Sequence, residues 1–190
     1  QIFTKSCLHQ QALMPTSSTR IPFEEAIAEP LLLKRSWEER LSTMQKVCLL
    51  SFYGLPLRTE EELQCWSVLQ RAATYDDLGY VTHVEAVPYH PREWQELWCV
   101  LGRRSGKTDR LAATIVAYEA CLGGHEAFMR PGRPAVCFEI AQDLRLARYS
   151  LHSIRATLDE SPLLRKQVVQ QTADRIDLKN QMIIATVPPT

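Results

Sequence analysis

Glycine is scarce, at 7 of 190 residues, so two glycines falling close together mark a place where the backbone needs a conformation other residues avoid. Paired cysteines are missing as well. Cys7, Cys48, Cys65, Cys99, Cys121 and Cys137 include no Cys-x-x-Cys pair, and no histidine stands at metal-ligand spacing from them, which argues against a zinc ribbon or a secreted disulfide scaffold. They read as buried small hydrophobes in a reducing compartment, and the cytoplasm is the expected location. Nor is there an excess of charge: Lys plus Arg (22) equals Asp plus Glu (22). No summed field marks a dedicated nucleic-acid module, so any DNA contact is expected to be local or outside the chain. No run approaches the roughly 20 apolar residues of a membrane span, and no signal-peptide layout opens the chain, so no membrane partner is expected. The first residue is Gln1 rather than methionine, which suggests that something upstream was removed or not recorded.

What is present is an ordinary globular composition, 45% hydrophobic and 23% charged, with length for one well-cored domain and a small appendage. Residues 1–20 end in Met14-Pro15-Thr16-Ser17-Ser18-Thr19-Arg20 and read as a flexible lead-in. Residues 21–92 read as a helical N-terminal region. Phe23 to Ala28 is short and amphipathic. Ser36 offers a cap with Glu39 three positions on, followed by apolar Leu41, Met44, Val47 and Cys48, before Gly54 and Pro56 stop the helix. Thr59 caps another helix whose first turn is acidic and whose apolar side is Leu63, Trp66, Val68 and Leu69. Asp76 to Arg92 reads as a connection in which His83 and His90 are solvated. Trp37, Trp66, Trp94 and Trp98 read as core in preference to docking anchors.

Residues 93–190 change character. Leu97-Trp98-Cys99-Val100-Leu101 is an apolar run expected to be a buried strand of an α/β sheet. Residues 107–122 then read as a helix stopped by Gly123-Gly124. Ala135 to Ala141 reads as a second strand parallel to the first, followed by a helix over 142–158 in which Arg145, Arg148 and Arg155 form a solvated face. Arg175 to Lys179 and Met182 to Val187 form an expected β-hairpin about Asn180-Gln181.

Between the first strand and its helix lies Gly102-Arg103-Arg104-Ser105-Gly106-Lys107-Thr108, which holds two of the seven glycines. The ending Gly-Lys-Thr, after a strand and opening a helix, is the context of a phosphate-binding loop. Glycines let N–H groups turn toward phosphates, Lys107 would neutralise β/γ oxygens, and the Thr108 hydroxyl would ligate Mg²⁺. The spacing is one residue short of the common pattern, and Leu101 stands where the first glycine would be. Arg103 can face the γ-phosphate or the surface; Arg104 reads as surface within the same loop. Glu139 is the nearest acid after an apolar run, but it lies inside its strand rather than at the end where ligands bind.

With its short spacing and arginine in second position, this loop resembles the P-loop of phage terminase large subunits. Ile21-Pro22-Phe23-Glu24-Glu25-Ala26-Ile27, Tyr53-Gly54-Leu55-Pro56-Leu57, the strand 135–141 and the stretch from Ser161-Pro162 to Asp177-Leu178 extend the resemblance over about residues 21–190. It implies a P-loop NTPase of the additional-strand, catalytic-glutamate type, with an incomplete parallel sheet preceded by a small helical segment. ATP and Mg²⁺ are the implied cofactors, with Arg103 and Lys107 in catalytic roles and Gln64 or Gln95 at the adenine. Double-stranded DNA, a small terminase subunit and a portal are implied partners, with a homo-oligomeric ring as the assembly, in the cytoplasm of an infected or lysogenic bacterial host. The family's Walker B acids, coupling motif and nuclease cluster would all fall beyond Thr190. The chain is therefore expected to be truncated before Walker B, marginally stable, and weak or inactive alone. Two rivals stay open: another P-loop phosphotransferase with Glu139 as metal-site acid, and a non-catalytic ATP-binding remnant that docks through its helices.

Overall fold

A computed structural model describes residues 2–4, 20–99, 105–130 and 132–187. In chain order it contains β1 (Ile2–Thr4), α1 (Phe23–Ala28), α2 (Lys34–Arg40), α3 (Thr43–Phe52), α4 (Glu60–Leu69), β2 (Arg71–Tyr75), β3 (Val81–Ala86) and β4 (Glu96–Trp98). A wide helical turn (Lys107–Ala112) leads into α5 (Ala113–Leu122), then a 3-10 turn (His125–Phe128), β5 (Ala135–Ile140), α6 (Leu144–Glu160), α7 (Pro162–Arg165), β6 (Val168–Gln171), β7 (Arg175–Leu178) and β8 (Met182–Val187). The described residues divide at Arg40/Leu41 and at Trp98/Cys99 into two compact units, with β1 in the second. That division differs from the expected one: α1 and α2 belong with the sheet-bearing unit, and 21–92 is not one helical region. Most of the lead-in 1–20 lies outside the described residues.

The first unit is an α/β arrangement around a mixed four-stranded sheet in the order β5-β8-β7-β6. β5 runs parallel to β8, Ala135 to Ile140 facing Met182 to Val187, while β7 pairs antiparallel with both β8 and β6. The expected hairpin is present, with Gln181 in the left-handed region at φ 65. Asn180 makes the turn workable: its Oδ1 accepts from the Met182 N–H at 3.1 Å and its amide donates to the Ala120 carbonyl at 2.8 Å.

One face of this sheet is covered. Ile176, Leu178, Met182 and Ile184 are buried there with Leu151, Ile154 and Leu158 of α6 and with Leu111, Ile115 and Tyr118. Burying such side chains stabilises the unit by roughly 1.5–3 kcal/mol each. The chain entering α1 is held at the end of α5. The Ile21 N–H donates to the Leu122 carbonyl at 3.0 Å, the Tyr118 hydroxyl donates to the Ile21 carbonyl at 2.7 Å, and Phe23 meets the Tyr118 ring edge-on at 4.9 Å. α2 is tied to the far end of α6 through Ser36 and Arg40, both donating to Glu160.

The second unit is built on α3, whose Val47, Leu49 and Phe52 are buried. Sequence reasoning set one helix running from Ser36; the chain instead breaks at Leu41-Ser42. Ser42 and Gln45 form a reciprocal capping box at α3, with a glutamine in the place usually given to glutamate, and Ser36 is buried inside α2. Thr59 caps α4 as expected, in a reciprocal box with Glu62, yet no residue of α4 is buried, and Leu63 and Val68 are exposed.

The segment read as a connection holds a hairpin, β2 with β3. Its turn is closed by Asp76, whose Oδ1 accepts from the Leu78 and Tyr80 N–H groups, and by Gly79 at φ 83. Trp66 donates from its indole to the Val87 carbonyl at 2.7 Å and stacks edge-on with Tyr89. Gly54, at φ 71, passes so close to Glu93 that a Cβ would lie 2.5 Å from its nitrogen.

The apolar run 97–101 also departs from expectation. Its described part, β4, pairs antiparallel with β1 and not with the sheet of β5, and Trp98 is exposed. The observed parallel pair is β5–β8, and the sheet is mixed rather than parallel. Among the described cysteines only Cys48 is buried; Cys65, Cys99, Cys121 and Cys137 are half-buried. Of the tryptophans, Trp37 and Trp66 are half-buried, and Trp94 and Trp98 are exposed. Among the described residues no helix is long and apolar enough to cross a membrane.

Candidate functional site

The candidate loop is described from Ser105 onward; Gly102, Arg103 and Arg104 lie outside the described residues. Gly106 is left-handed, φ 71 and ψ 17, a conformation that costs a residue with a Cβ about 1–2 kcal/mol. The helix begins at the next residue, Lys107. Its first turn is wide: the Gly106 carbonyl accepts from both Arg110 and Leu111 N–H groups, at 3.0 and 3.2 Å, and the Ala113 N–H reaches the Thr108 carbonyl. Together the wide turn and α5 make a continuous helix over 107–122. Ser105, Lys107, Thr108 and Asp109 are half-buried at its head. The first turn of any helix presents N–H groups and the positive end of the helix dipole, which is the combination an anion uses.

Topology places that head. The tail of α5 is at the start of β8, because Asn180, in the turn before β8, donates to Ala120. The head therefore points toward the opposite, carboxyl end of the parallel strands β5 and β8. α6 also starts there, directly after β5, with Asp143 capping it by accepting from the Leu146 N–H at 2.8 Å. Ligands of open α/β sheets bind at this end.

Glu139 is the penultimate residue of β5, as its inside-strand reading required, and it is buried. Ser150 of α6 donates to it at 2.8 Å. Burial, with the nearby Glu139 and Glu119 carboxylates adding to it, pushes the Cys137 thiol up to about 12. Among the described residues no group of three or more His, Cys, Asp or Glu could hold a metal ion. Thr108 is thus the one predicted metal ligand that the described loop supplies.

Gln64 and Gln95 are exposed residues of the second unit. Arg148 and Arg155 do more than face solvent: Arg148 is bidentate to Asp174, at 2.6 and 3.1 Å, and Arg155 donates to the Thr172 carbonyl, so both hold the β6–β7 turn. The wide first turn was not foreseen, and no spacing signal in Lys107–Ala112 announces it.

Compared with family models, with curated proteins and with solved structures, the chain matches none significantly.

Proposed function

We propose that residues 102–108 form a nucleotide-phosphate loop, and that the chain is the ATP-binding part of a DNA-packaging ATPase of the terminase type. The observation that carries the first step is Gly106 in the left-handed region immediately ahead of a helix headed by Lys107 and Thr108, at the carboxyl end of a parallel strand pair. A glycine there lets the backbone turn its N–H groups toward a phosphate without a Cβ in the way. The residues fit the group. Lys107 would balance β/γ-phosphate charge, Thr108 would offer its hydroxyl to Mg²⁺, and Arg103, next to the loop's first glycine, would stabilise charge on the transferring phosphoryl. Bound ATP with Mg²⁺ supplies the phosphoryl group and the metal charge that such transfer needs.

The second step, to terminase, rests on the sequence resemblance alone. Double-stranded DNA, a small subunit, a portal and a ring assembly belong to that proposal. One observation favours a second reading, a phosphotransferase independent of DNA: Glu139 puts a buried carboxylate near the carboxyl end of β5. Its bond from Ser150 gives it a packing role as well.

The test is nucleotide affinity. Titration of a fluorescent ATP analogue with Mg²⁺ is expected to give saturable binding, and Lys107→Ala is expected to weaken it by at least about tenfold, the loss of one charge-assisted contact of 1.5–3 kcal/mol. Unchanged far-UV circular dichroism would show the variant folded. Equal binding by both proteins would overturn the phosphate-loop reading. Stimulation of ATP turnover by double-stranded DNA separates the terminase reading from the phosphotransferase one.

A further inference from the structure

The two edges of the four-stranded sheet are unlike. β6 is irregular, with its register broken between Val168 and Gln170, and it carries two glutamines. That is how exposed edges are protected against pairing with another chain. β5 has none of these devices: its six residues, Ala-Val-Cys-Phe-Glu-Ile, pair with β8 in unbroken register. Its only charge, Glu139, faces α6 and accepts from Ser150. On the opposite face Val136, Phe138 and Ile140 rise in exposure along the strand, 37%, 59% and 64%. Among the described strands β5 pairs with β8 alone, and an apolar, unbroken edge with an exposed apolar face is the form that accepts an added strand.

We propose that β5 is a self-association edge, and that two copies of this chain pair β5 with β5, antiparallel, about a two-fold axis through Phe138. Self-complementarity selects the second copy and the register. With Phe138 facing its own counterpart, Val136 meets Ile140 of the second copy, and all six apolar side chains share one face. The same register sets Arg133 opposite Asp143 of the second copy, at both ends. Arg133 and Asp143 are exposed; Asp143 uses Oδ1 for its cap, and its backbone is extended at φ -143 and ψ 162. Arg133 makes no ion pair among the described residues.

The neighbouring two-fold registers are worse. Centred on Glu139, Arg133 would face Arg145 of the second copy, a like-charge contact. Centred on Cys137, Ile140 would face Pro134 and the charge pair would be lost. The contact is isologous, so it closes at a dimer rather than growing into a filament. It does not depend on the nucleotide reading.

Sedimentation velocity of the whole chain over a concentration series is expected to show a monomer–dimer equilibrium. Phe138→Lys should be monomeric with unchanged far-UV circular dichroism, and Arg133→Glu should weaken association about fivefold, the range of an exposed ion pair. Site-directed oxidation checks the register without relying on those variants' folds. Residues directly opposite in an antiparallel pair bring their Cβ atoms to about 4.5–5.5 Å, close to disulfide range. Phe138→Cys alone should form a covalent dimer. Val136→Cys alone should stay at the wild-type level, while Val136→Cys mixed with Ile140→Cys should cross-link. A chain that sediments as a monomer throughout, whether the edge is empty or taken by another segment of the same chain, overturns the proposal. So does cross-linking by Phe138→Cys no faster than by Val136→Cys.

Discussion

At the scale of single residues, burial decides chemistry more than identity does. The Cys121 thiol is pushed up to about 12 by burial, with Glu126 adding to it, and Cys137 is raised likewise by burial with Glu139 and Glu119. The thiolate is the reactive form. At pH about 8 these two side chains should therefore alkylate on the order of a thousandfold more slowly in the native protein than in denaturant, where thiols return to the usual 8.5. Timed iodoacetamide labelling with peptide mass spectrometry checks this, and labelling at the denatured rate would show that the packing around them is wrong. Among the described cysteines the reading as buried small hydrophobes holds for Cys48, while Cys121 and Cys137 are half-buried and owe their inertness to burial of the thiol beside carboxylates. Gly106 is the contrary case. A glycine directly before Lys-Thr could be read locally, because a left-handed turn into a helix is a demand that one residue meets by itself.

Elements show where local signals suffice and where they mislead. Thr59 marks the start of α4 in the sequence, and the structure closes its cap with Glu62 within four residues. Ser36 with Glu39 carried the same pattern and was a false start. Its hydroxyl donates to Glu160, 124 positions away, while the working box used Ser42 and Gln45. The β2–β3 hairpin was missed because Asp76 and Gly79 are loop residues by type, and only their bonds across the turn make them a hairpin.

The tie between α6 and the β6–β7 turn yields a pH prediction. Hydrogen bonds from Arg148 hold the Asp174 carboxyl below its usual range, ahead of the charge effects of Arg148 and Arg155. The folded state thus binds this proton more weakly than the unfolded chain. The contact stabilises above the ordinary carboxylate value near 3.9 and is lost as pH falls through the lower, folded one. Asp174→Asn should lower the thermal midpoint slightly at pH about 7, and the difference from wild type should vanish toward pH about 2. A difference that persists undiminished in acid would assign the effect to packing instead.

For the molecule as a whole, stability in the sheet-bearing unit rests on one covered face. Ile184 is fully buried in β8, between Cys137 of β5 and Ile176 of β7 in the sheet's register. Ile184→Ala should cost about 2–5 kcal/mol, a large part of the 5–15 kcal/mol that domains possess. Chemical denaturation followed at Trp37, the tryptophan of that unit, should show the midpoint fall steeply; a change under about 1 kcal/mol would mean the helices do not pack on this face as described.

Over the whole chain, the sequence alone determined what a few adjacent residues can settle: α1, the Thr59 cap of α4, the helix over 107–122, and the β7–β8 hairpin. Each closes its own hydrogen bonds nearby, so composition and spacing suffice. Tertiary structure decided the rest. The apolar run before the loop was expected in the sheet, yet its described part pairs with β1, and β5 pairs with β8 instead. A strand's neighbours are chosen by edges and faces brought together from far along the chain, and an apolar stretch is equally suited to any of several partners.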